Sequence, residues 1–390
     1  PQNCGSTVTM RVTILTNLFP SSKAPTRGLF NYQKFSALAQ RVELQLLVPV
    51  PFPEWHRLGP PEPVESSVSS VAYFPYYYTP GTGRRWYGDC LYRAVRGQLT
   101  AVRTFSPDVI YGSFLFPDGY AASRLAATLD LPLVIGLHGS DVNVHTQDEA
   151  RLRKIRSCLQ QSNAILSVSE ALKQLLVNVG AERLRIHTIY NGVDQARFHP
   201  GDQQGARQTL NFEPGRHLIY IGNLLASKGV LDLASAASQL DNDVHIHFIG
   251  DGADRGALER IAAQERSGAR INIAGRQPHD ALPTWLAAAD GLCLPSYREG
   301  VPNVILEAIA CGRPVVASRV GGVPEVTTED NSILVPPGSI SELAAALRTV
   351  LKRDWCPQEI AARSKAESWQ QVAERINCVL GAAVEEGPRS

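Results

Sequence analysis

Nowhere in this 390-residue chain does an apolar run approach the roughly 20 residues that a membrane-spanning helix needs. Residues 1–9 also lack the basic start and apolar stretch of a secretory signal. The only methionine, Met10, directly precedes the first expected strand, so residues 1–9 read as an upstream extension. The seven cysteines (positions 4, 90, 158, 293, 311, 356 and 378) are scattered, odd in number and without a C-x-x-C pair. That pattern fits reduced thiols in a cytoplasm rather than a disulfide framework or a zinc site. An excess of charge is missing too: 38 Lys+Arg stand against 37 Asp+Glu, a net of +1, which argues against a dedicated nucleic-acid binder. No GxGxxG, P-loop or G-x-S-x-G motif occurs, so hydride transfer, ATP hydrolysis and serine-hydrolase chemistry lack their usual supports. The one D-x-D pattern, Asp241-Asn-Asp243, stands before an expected strand and reads as a turn, not a metal site.

What is present is a well-packed globular composition, 44% hydrophobic and 19% charged, over a length that suits two domains. Short apolar runs alternate with helical stretches from end to end. Strands are expected near residues 12–15, 44–48, 109–111, 133–137, 164–168 and 185–189, then near 218–221, 245–249, 271–273, 291–294, 315–318 and 333–335. Most are continuous rather than alternating, as in parallel strands covered by helices on both faces. The fold class is therefore α/β, with two doubly wound parallel-sheet domains. Turn formers cluster at 191–206, and the boundary is placed there, giving domains 1–198 and 199–368. Residues 51–90, rich in proline and aromatics, read as a long inserted loop.

In such sheets ligands bind beyond the carboxyl ends of the strands. Glycines and polar residues gather there: Gly28 and His138-Gly-Ser-Asp141 in the first half, then Gly222-Asn223, Gly275-Arg276 and Pro295-Ser-Tyr-Arg-Glu299 in the second. Two such edges facing each other would make a cleft. The strongest signal is Glu299-Gly-Val-Pro-Asn-Val-Ile-Leu-Glu307-Ala-Ile-Ala-Cys-Gly312. Pro302 suits the first position of a helix and Gly312 its end. From Val304 to Cys311 only Glu307 is polar, roughly 7 Å along the helix from Pro302 at ~1.5 Å per residue. A carboxylate there needs a partner, either an ion pair or the hydroxyls of a ribose. The N–H groups around Asn303 and Val304 would meet a diphosphate, and Glu299 stands where an attached sugar would lie or else in a solvated loop.

Lys228, at the entrance of a helix from Val230 to Leu240, opposes the helix dipole. An anionic ligand would explain it; an exposed loop lysine is the alternative. His138 at a strand end is a ligand contact or a structural histidine. Gly28 opens a helix running to Gln40, as a phosphate cradle or a plain turn. Residues 84–103 carry Arg84, Arg85, Arg93, Arg96 and Arg103 with Trp86, Tyr87 and Tyr92. They form a solvated helix face or a surface for anionic lipid or an acidic acceptor.

These residues resemble glycosyltransferase family 4, the large retaining group with the GT-B fold, over nearly the whole chain. The Glu299-to-Glu307 spacing, Pro295 to Ser318, and Gly321-Gly-Val-Pro-Glu325 carry the likeness. Asn191-Gly-Val-Asp194 resembles the family's interdomain segment, and Trp369 opens what resembles the helix, 369–390, that crosses back to the first domain. Leu15 to Gly28, Phe116-Pro-Asp-Gly-Tyr120 and His138-Gly-Ser-Asp141 look like the branch containing teichuronic-acid and other exopolysaccharide glycosyltransferases.

The resemblance implies a nucleotide-diphosphate sugar as co-substrate, with no cofactor or metal, and UDP favoured. It implies that Glu299 contacts the sugar, Glu307 the ribose and Lys228 the diphosphate, the last helped by Gly28, Asn303 and Val304. It places Gly222 and Asn223 at the donor, Gly275-Arg276 beside the base, and His138 at the sugar or reacting centre. Asn223 departs from the family, which commonly has arginine there; Arg27, Arg276 and Arg298 are the cations that would compensate. A same-face mechanism is implied, since no carboxylate nucleophile for a double displacement stands out. The acceptor would be a saccharide, with a lipid-linked one in view, and the enzyme cytoplasmic, in peripheral contact with the inner membrane face. The rival readings are a GT-B phosphorylase or epimerase and a non-catalytic carbohydrate-binding homologue.

Overall fold

The structure, a computed structural model, describes residues 9–78, 86–139, 148–264 and 268–389. It divides into two compact units, Pro1–Asn191 with Trp369–Ser390, and Gly192–Ser368. The first unit is built on β1 (Arg11–Leu15), β2 (Glu43–Pro51), β3 (Ser70–Tyr76), β4 (Val109–Gly112), β5 (Leu133–Leu137), β6 (Ala164–Ser167) and β7 (Ile186–Thr188). They form one parallel sheet in the order β3-β2-β1-β4-β5-β6-β7. The second unit holds β8 (Arg216–Ile221), β9 (Val244–Ile249), β10 (Arg270–Gly275), β11 (Gly291–Leu294), β12 (Val315–Ser318) and β13 (Ser332–Val335). These are parallel in the order β10-β9-β8-β11-β12-β13.

The continuous apolar runs have the cause expected of them. Every residue of β4, β5, β6, β11 and β12 is buried. In the first unit adjacent residues of one strand serve opposite faces: Leu15 packs with Leu47 and Ile135, and Ile14 with Leu46 and Val134. Each such side chain contributes roughly 1.5–3 kcal/mol by leaving water. Trp369, Val372, Ile376 and Leu380, one stripe of the helix Trp369–Glu386, complete the second of these faces alongside the helix Leu29–Leu38.

Both sheets reverse direction of growth once. In the first, β1 is flanked by β2 and β4; in the second, β8 is flanked by β9 and β11. The loops leaving β1 and β4, and those leaving β8 and β11, therefore diverge to opposite sides of their sheets, which opens a crevice at each switch point.

Three features differ from the sequence reading. Residues 51–90 are not one long loop: they contain the helix Phe52–Leu58, strand β3 and the start of the helix Tyr87–Arg96. β3 is an edge strand, where Pro75 costs no ladder hydrogen bond on its outer side. The division between units falls after Asn191 rather than after Phe198. Val193 N–H donates to the Glu367 carbonyl at 2.9 Å, and the buried Phe198 ring lies 5.3 Å from His279. Finally, Pro302 caps its helix from outside, and the helix runs Asn303–Ala310.

Toward the amino ends of β8 and β9 lies a stack of aromatic rings. His217, His245 and His247 are all buried, His217 opposite His245 in the strand register. Phe212 lies 4.2 Å from His247, stacked with its plane nearly parallel, and 4.5 Å from His217; Trp285 closes the group at 5.9 Å from His247. His217 Nε2 faces the Glu213 carbonyl at 3.1 Å and so carries the proton. With both rings neutral, its Nδ1 accepts from His247 Nε2 at 3.0 Å. Burial lowers the pKa of all three histidines and so favours the neutral rings.

Candidate active site

The second unit's switch point brings two sequence-predicted residues into contact. Lys228 ends a short 3₁₀ turn after β8, and Glu299 lies in the loop after β11. Lys228 Nζ donates to Glu299 Oε1 at 2.7 Å. The Glu299 side chain is only 12% exposed and the Lys228 side chain 29%, so the pair borders solvent through its lysine. This contact explains why a cation is tolerated at the start of the helix Val230–Ala237.

The two loops are joined along their backbones. Tyr297 N–H donates to the Ser227 carbonyl at 3.1 Å. Gly229 has φ +70°, and a Cβ there would strike the Pro295 carbonyl, so only glycine lets the loops approach this closely. Behind Glu299, Gly322 N–H donates to the Gly300 carbonyl at 2.7 Å, so the Gly321-Gly322 turn supports the loop that presents the carboxylate.

Glu307 lies on the helix Asn303–Ala310 and is buried. The partner it requires among the described residues is His279, whose Nε2 is 3.0 Å from Glu307 Oε1. Sequence reasoning missed His279. It sits 28 residues upstream, in a 3₁₀ turn after β10, and nothing local to it signals the contact.

Gly222, Asn223, Gly275 and Arg276 occupy the carboxyl edge of β8 and β10. Gly222 N–H donates to the Ile249 carbonyl and Gly250 N–H to the Gly275 carbonyl, so the glycines prolong the ladder by one step. Asn223 is exposed, and its carbonyl accepts from the Tyr220 hydroxyl at 2.8 Å. Burial, then the charge of Glu299, raises the Tyr220 pKa. Arg276 and Arg298 are exposed.

Gly28 and His138 belong to the first unit. Gly28 adopts φ +68° and caps the helix Leu29–Leu38; a Cβ on it would lie 2.5 Å from the Leu18 carbonyl oxygen. That same helix presents Phe30 and Lys34 to His138. The imidazole is flanked by Phe30 and Phe114, at 4.8 and 4.6 Å between ring centres. The buried Lys34 ammonium is 3.4 Å from its Nε2. Burial first, and Lys34 second, hold the His138 pKa well below its ordinary value, opposed by a hydrogen bond to the Ser113 backbone. His138 is thus a neutral ring set by its neighbours. Ser140 and Asp141 lie outside the described residues.

Asp118, in the Phe116–Tyr120 motif but given no role by sequence reasoning, is fully buried in the helical turn Leu115–Gly119 after β4 and accepts the Asn17 N–H at 2.8 Å. It joins the β1 and β4 loops across the first unit's own switch point. Arg27 is held by Glu54, with Nη1 2.9 and 2.8 Å from the two carboxylate oxygens.

The D-x-D aspartates both clamp Arg216, at 2.8 Å from Asp241 and 2.7 Å from Asp243. In the basic stretch, Tyr87 and Tyr92 pack toward the core, while Trp86, Arg93, Arg96 and Arg103 are exposed. Arg84 and Arg85 lie outside the described residues.

Two parallel-sheet domains of this topology define the GT-B fold. Among solved structures, HepE of Anabaena, crystallised with UDP and glucose, matches 96% of this chain and all of its own at a TM-score of 0.75 and 20% identity. The sucrose-phosphate synthase of Thermosynechococcus elongatus matches 97% of both chains at 0.72 and 19%. A model of glycosyltransferase family 4 matches residues 34–197, and one of the glycosyl transferases group 1 matches residues 215–353. The chain belongs to the family 4 glycosyltransferases. TuaC of Bacillus subtilis (strain 168), named as a teichuronic acid biosynthesis glycosyltransferase, is 28% identical over 370 residues, 90% of this chain and 91% of its own.

Proposed function

We propose that this glycosyltransferase transfers a sugar from a UDP-sugar, with retention and without a metal, to a saccharide acceptor in polysaccharide or glycoconjugate synthesis. The observation that carries the reading is the Lys228–Glu299 pair at the β8/β11 switch point, with Glu307 on the helix that follows. Breaking the sugar–diphosphate bond leaves negative charge on the diphosphate and positive character on the sugar. A fixed ammonium and a fixed carboxylate answer those two demands.

In this reading Lys228 and the backbone at Asn303 and Val304 receive the diphosphate, Glu299 orients the sugar hydroxyls, and Glu307 holds the ribose. Gly222-Asn223 and Gly275-Arg276 border the nucleotide, and Arg276 or Arg298 supplies the charge that Asn223 lacks. Arg27 is less suited, because Glu54 already engages it. The roles that the family resemblance implies for Gly28 and His138 are part of the same proposal. UDP is favoured because HepE was crystallised with it. The acceptor we favour is lipid-linked, with the exposed arginines of residues 86–103 resting on the membrane face. Among the described residues no helix is long and apolar enough to cross a membrane.

Nucleotide release from a panel of donor sugars tests the activity, with Glu299→Ala as control. Turnover of one UDP-sugar that is lost in the variant is expected. Donor binding without release in the wild type would overturn the catalytic reading in favour of a carbohydrate-binding protein.

A further inference from the structure

His279 reaches Glu307 from a part of the chain that none of the recognised motifs includes. A carboxylate only accepts hydrogen bonds, so the imidazole nitrogen 3.0 Å from Glu307 Oε1 carries the proton. Both side chains are largely buried, His279 at 17% and Glu307 at 10% exposure. The imidazole is held in turn. Its ring lies 5.3 Å from that of Phe198, which is buried, and the neighbouring Asp280 is ion-paired with Arg197. Residues 197 and 198 come from the start of the second unit, so the imidazole is braced by a segment remote from the helix that carries Glu307.

We propose that His279 is a positioning residue for the nucleotide: its Nε2–H fixes one oxygen of Glu307, so that the other is presented to the ribose hydroxyls. The inference rests on the reading of Glu307 as the ribose carboxylate. A glutamate on a helix has three side-chain torsions to settle. A hydrogen bond to one oxygen removes most of that freedom before the ligand arrives, and affinity then gains from the order already present. The imidazole acts only through the carboxylate and makes no contact with the reacting atoms.

The test is calorimetric binding of the ribo and the 2′,3′-dideoxy forms of UDP, GDP and ADP to the full chain. Wild type, His279→Leu and His279→Gln are compared, with folding of each checked by its thermal transition. Leucine keeps most of the volume and removes the donor; glutamine returns an N–H to about the place of Nε2. For whichever base binds, the wild type is expected to prefer the ribo form by roughly tenfold or more, the range of a hydrogen bond to a charged group. In His279→Leu that preference falls to within about threefold, and in His279→Gln it returns. Should His279→Leu not fold, the glutamine variant decides: a lost preference there, in a folded protein, refutes the donor role.

A wild-type protein that binds both forms equally overturns the ribose reading of Glu307 itself, and binding of no nucleotide overturns the donor reading with it. Full preference in His279→Leu overturns the role of His279 alone. Tighter UDP binding by His279→Leu would mean that the imidazole occupies the place of a ribose hydroxyl, and would overturn it equally.

Discussion

Acid should destabilise the second unit at the histidine stack before it titrates Asp243. With both rings neutral, His247 donates to His217 and His217 donates to the Glu213 carbonyl. A proton added to His217 Nδ1 sets N–H against N–H unless His247 moves its own proton to Nδ1, and either way places a charge among buried rings. Burial first, then Arg207 and His245, lower the His217 pKa to about 4, while Asp290 acts in the other direction. Burial, then His217 and His245, lower that of His247 to about 3. His245 is lowered chiefly by burial and then by Arg270, against Glu213 and Asp243.

In the unfolded chain these histidines regain the ordinary value of about 6.5. Between pH 6.5 and 4 the unfolded state therefore binds more protons, and stability falls as the pH falls. It is fully present at neutral pH. For His217 alone the difference of about 2.5 pKa units, at ~1.4 kcal/mol each, removes roughly 3 kcal/mol by pH 4. His247 raises the loss to roughly 6 kcal/mol, against a total that for most domains is about 5–15 kcal/mol. Asp243 is held below its ordinary range by its hydrogen bonds to Arg216, so its contribution is lost only at lower pH.

Urea unfolding at pH 7, 5.5 and 4.5, followed by tryptophan fluorescence for the environment of Trp285, measures the slope. His247→Phe keeps a ring beneath Phe212 and removes one titrating group, and should roughly halve the loss. A wild-type stability that is constant within about 1 kcal/mol over that range, or a variant with the full wild-type slope, would refute the reasoning.

Two further outcomes bear on the site. Lys228→Ala should weaken nucleotide-diphosphate binding by roughly 10- to 100-fold, the worth of a charged hydrogen bond, and an unchanged calorimetric affinity would sink the phosphate assignment. If the face bearing Arg93 and Arg96 rests on anionic lipid, Arg93→Glu/Arg96→Glu should lower co-sedimentation with phosphatidylserine-containing vesicles by at least about fivefold, given ~1 kcal/mol per arginine; no binding by the wild type would remove the membrane contact.

The strands were legible because parallel strands covered on both faces are written as apolar runs. β3 was not, because an edge strand is half exposed: its run from Ser70 to Tyr76 mixes polar, aromatic and proline residues and resembles a loop. Glu307 was legible from its isolation on an apolar helix, and the need for a partner could be read from it. Which partner could not. The His279 contact depends on how the turn after β10 folds beside the helix after β11, and two strands, β9 and β8, separate β10 from β11 in the sheet. The same holds for Asp118, whose contact with Asn17 follows from β1 and β4 being neighbours.

Lys228 and Glu299 each follow a strand end, and each could be nominated singly. Their pairing follows from β8 and β11 lying side by side, and it alters what donor binding must do. The Lys228–Glu299 contact is a charge-assisted hydrogen bond with a largely buried carboxylate, of the class worth roughly 1.5–3 kcal/mol. A phosphate oxygen on the same ammonium makes a bond of the same class. On the proposed reading, donor binding therefore exchanges Glu299 for diphosphate at Lys228 as like for like, and Glu299 turns to the sugar hydroxyls in the same step. Glu307 differs, because its partner is a donor on a braced ring that need not leave for a ribose to enter. One carboxylate is released by the ligand and the other is held ready for it, and for this reason removal of Lys228 should affect diphosphate affinity, whereas removal of His279 should affect the discrimination between ribose and its deoxy forms.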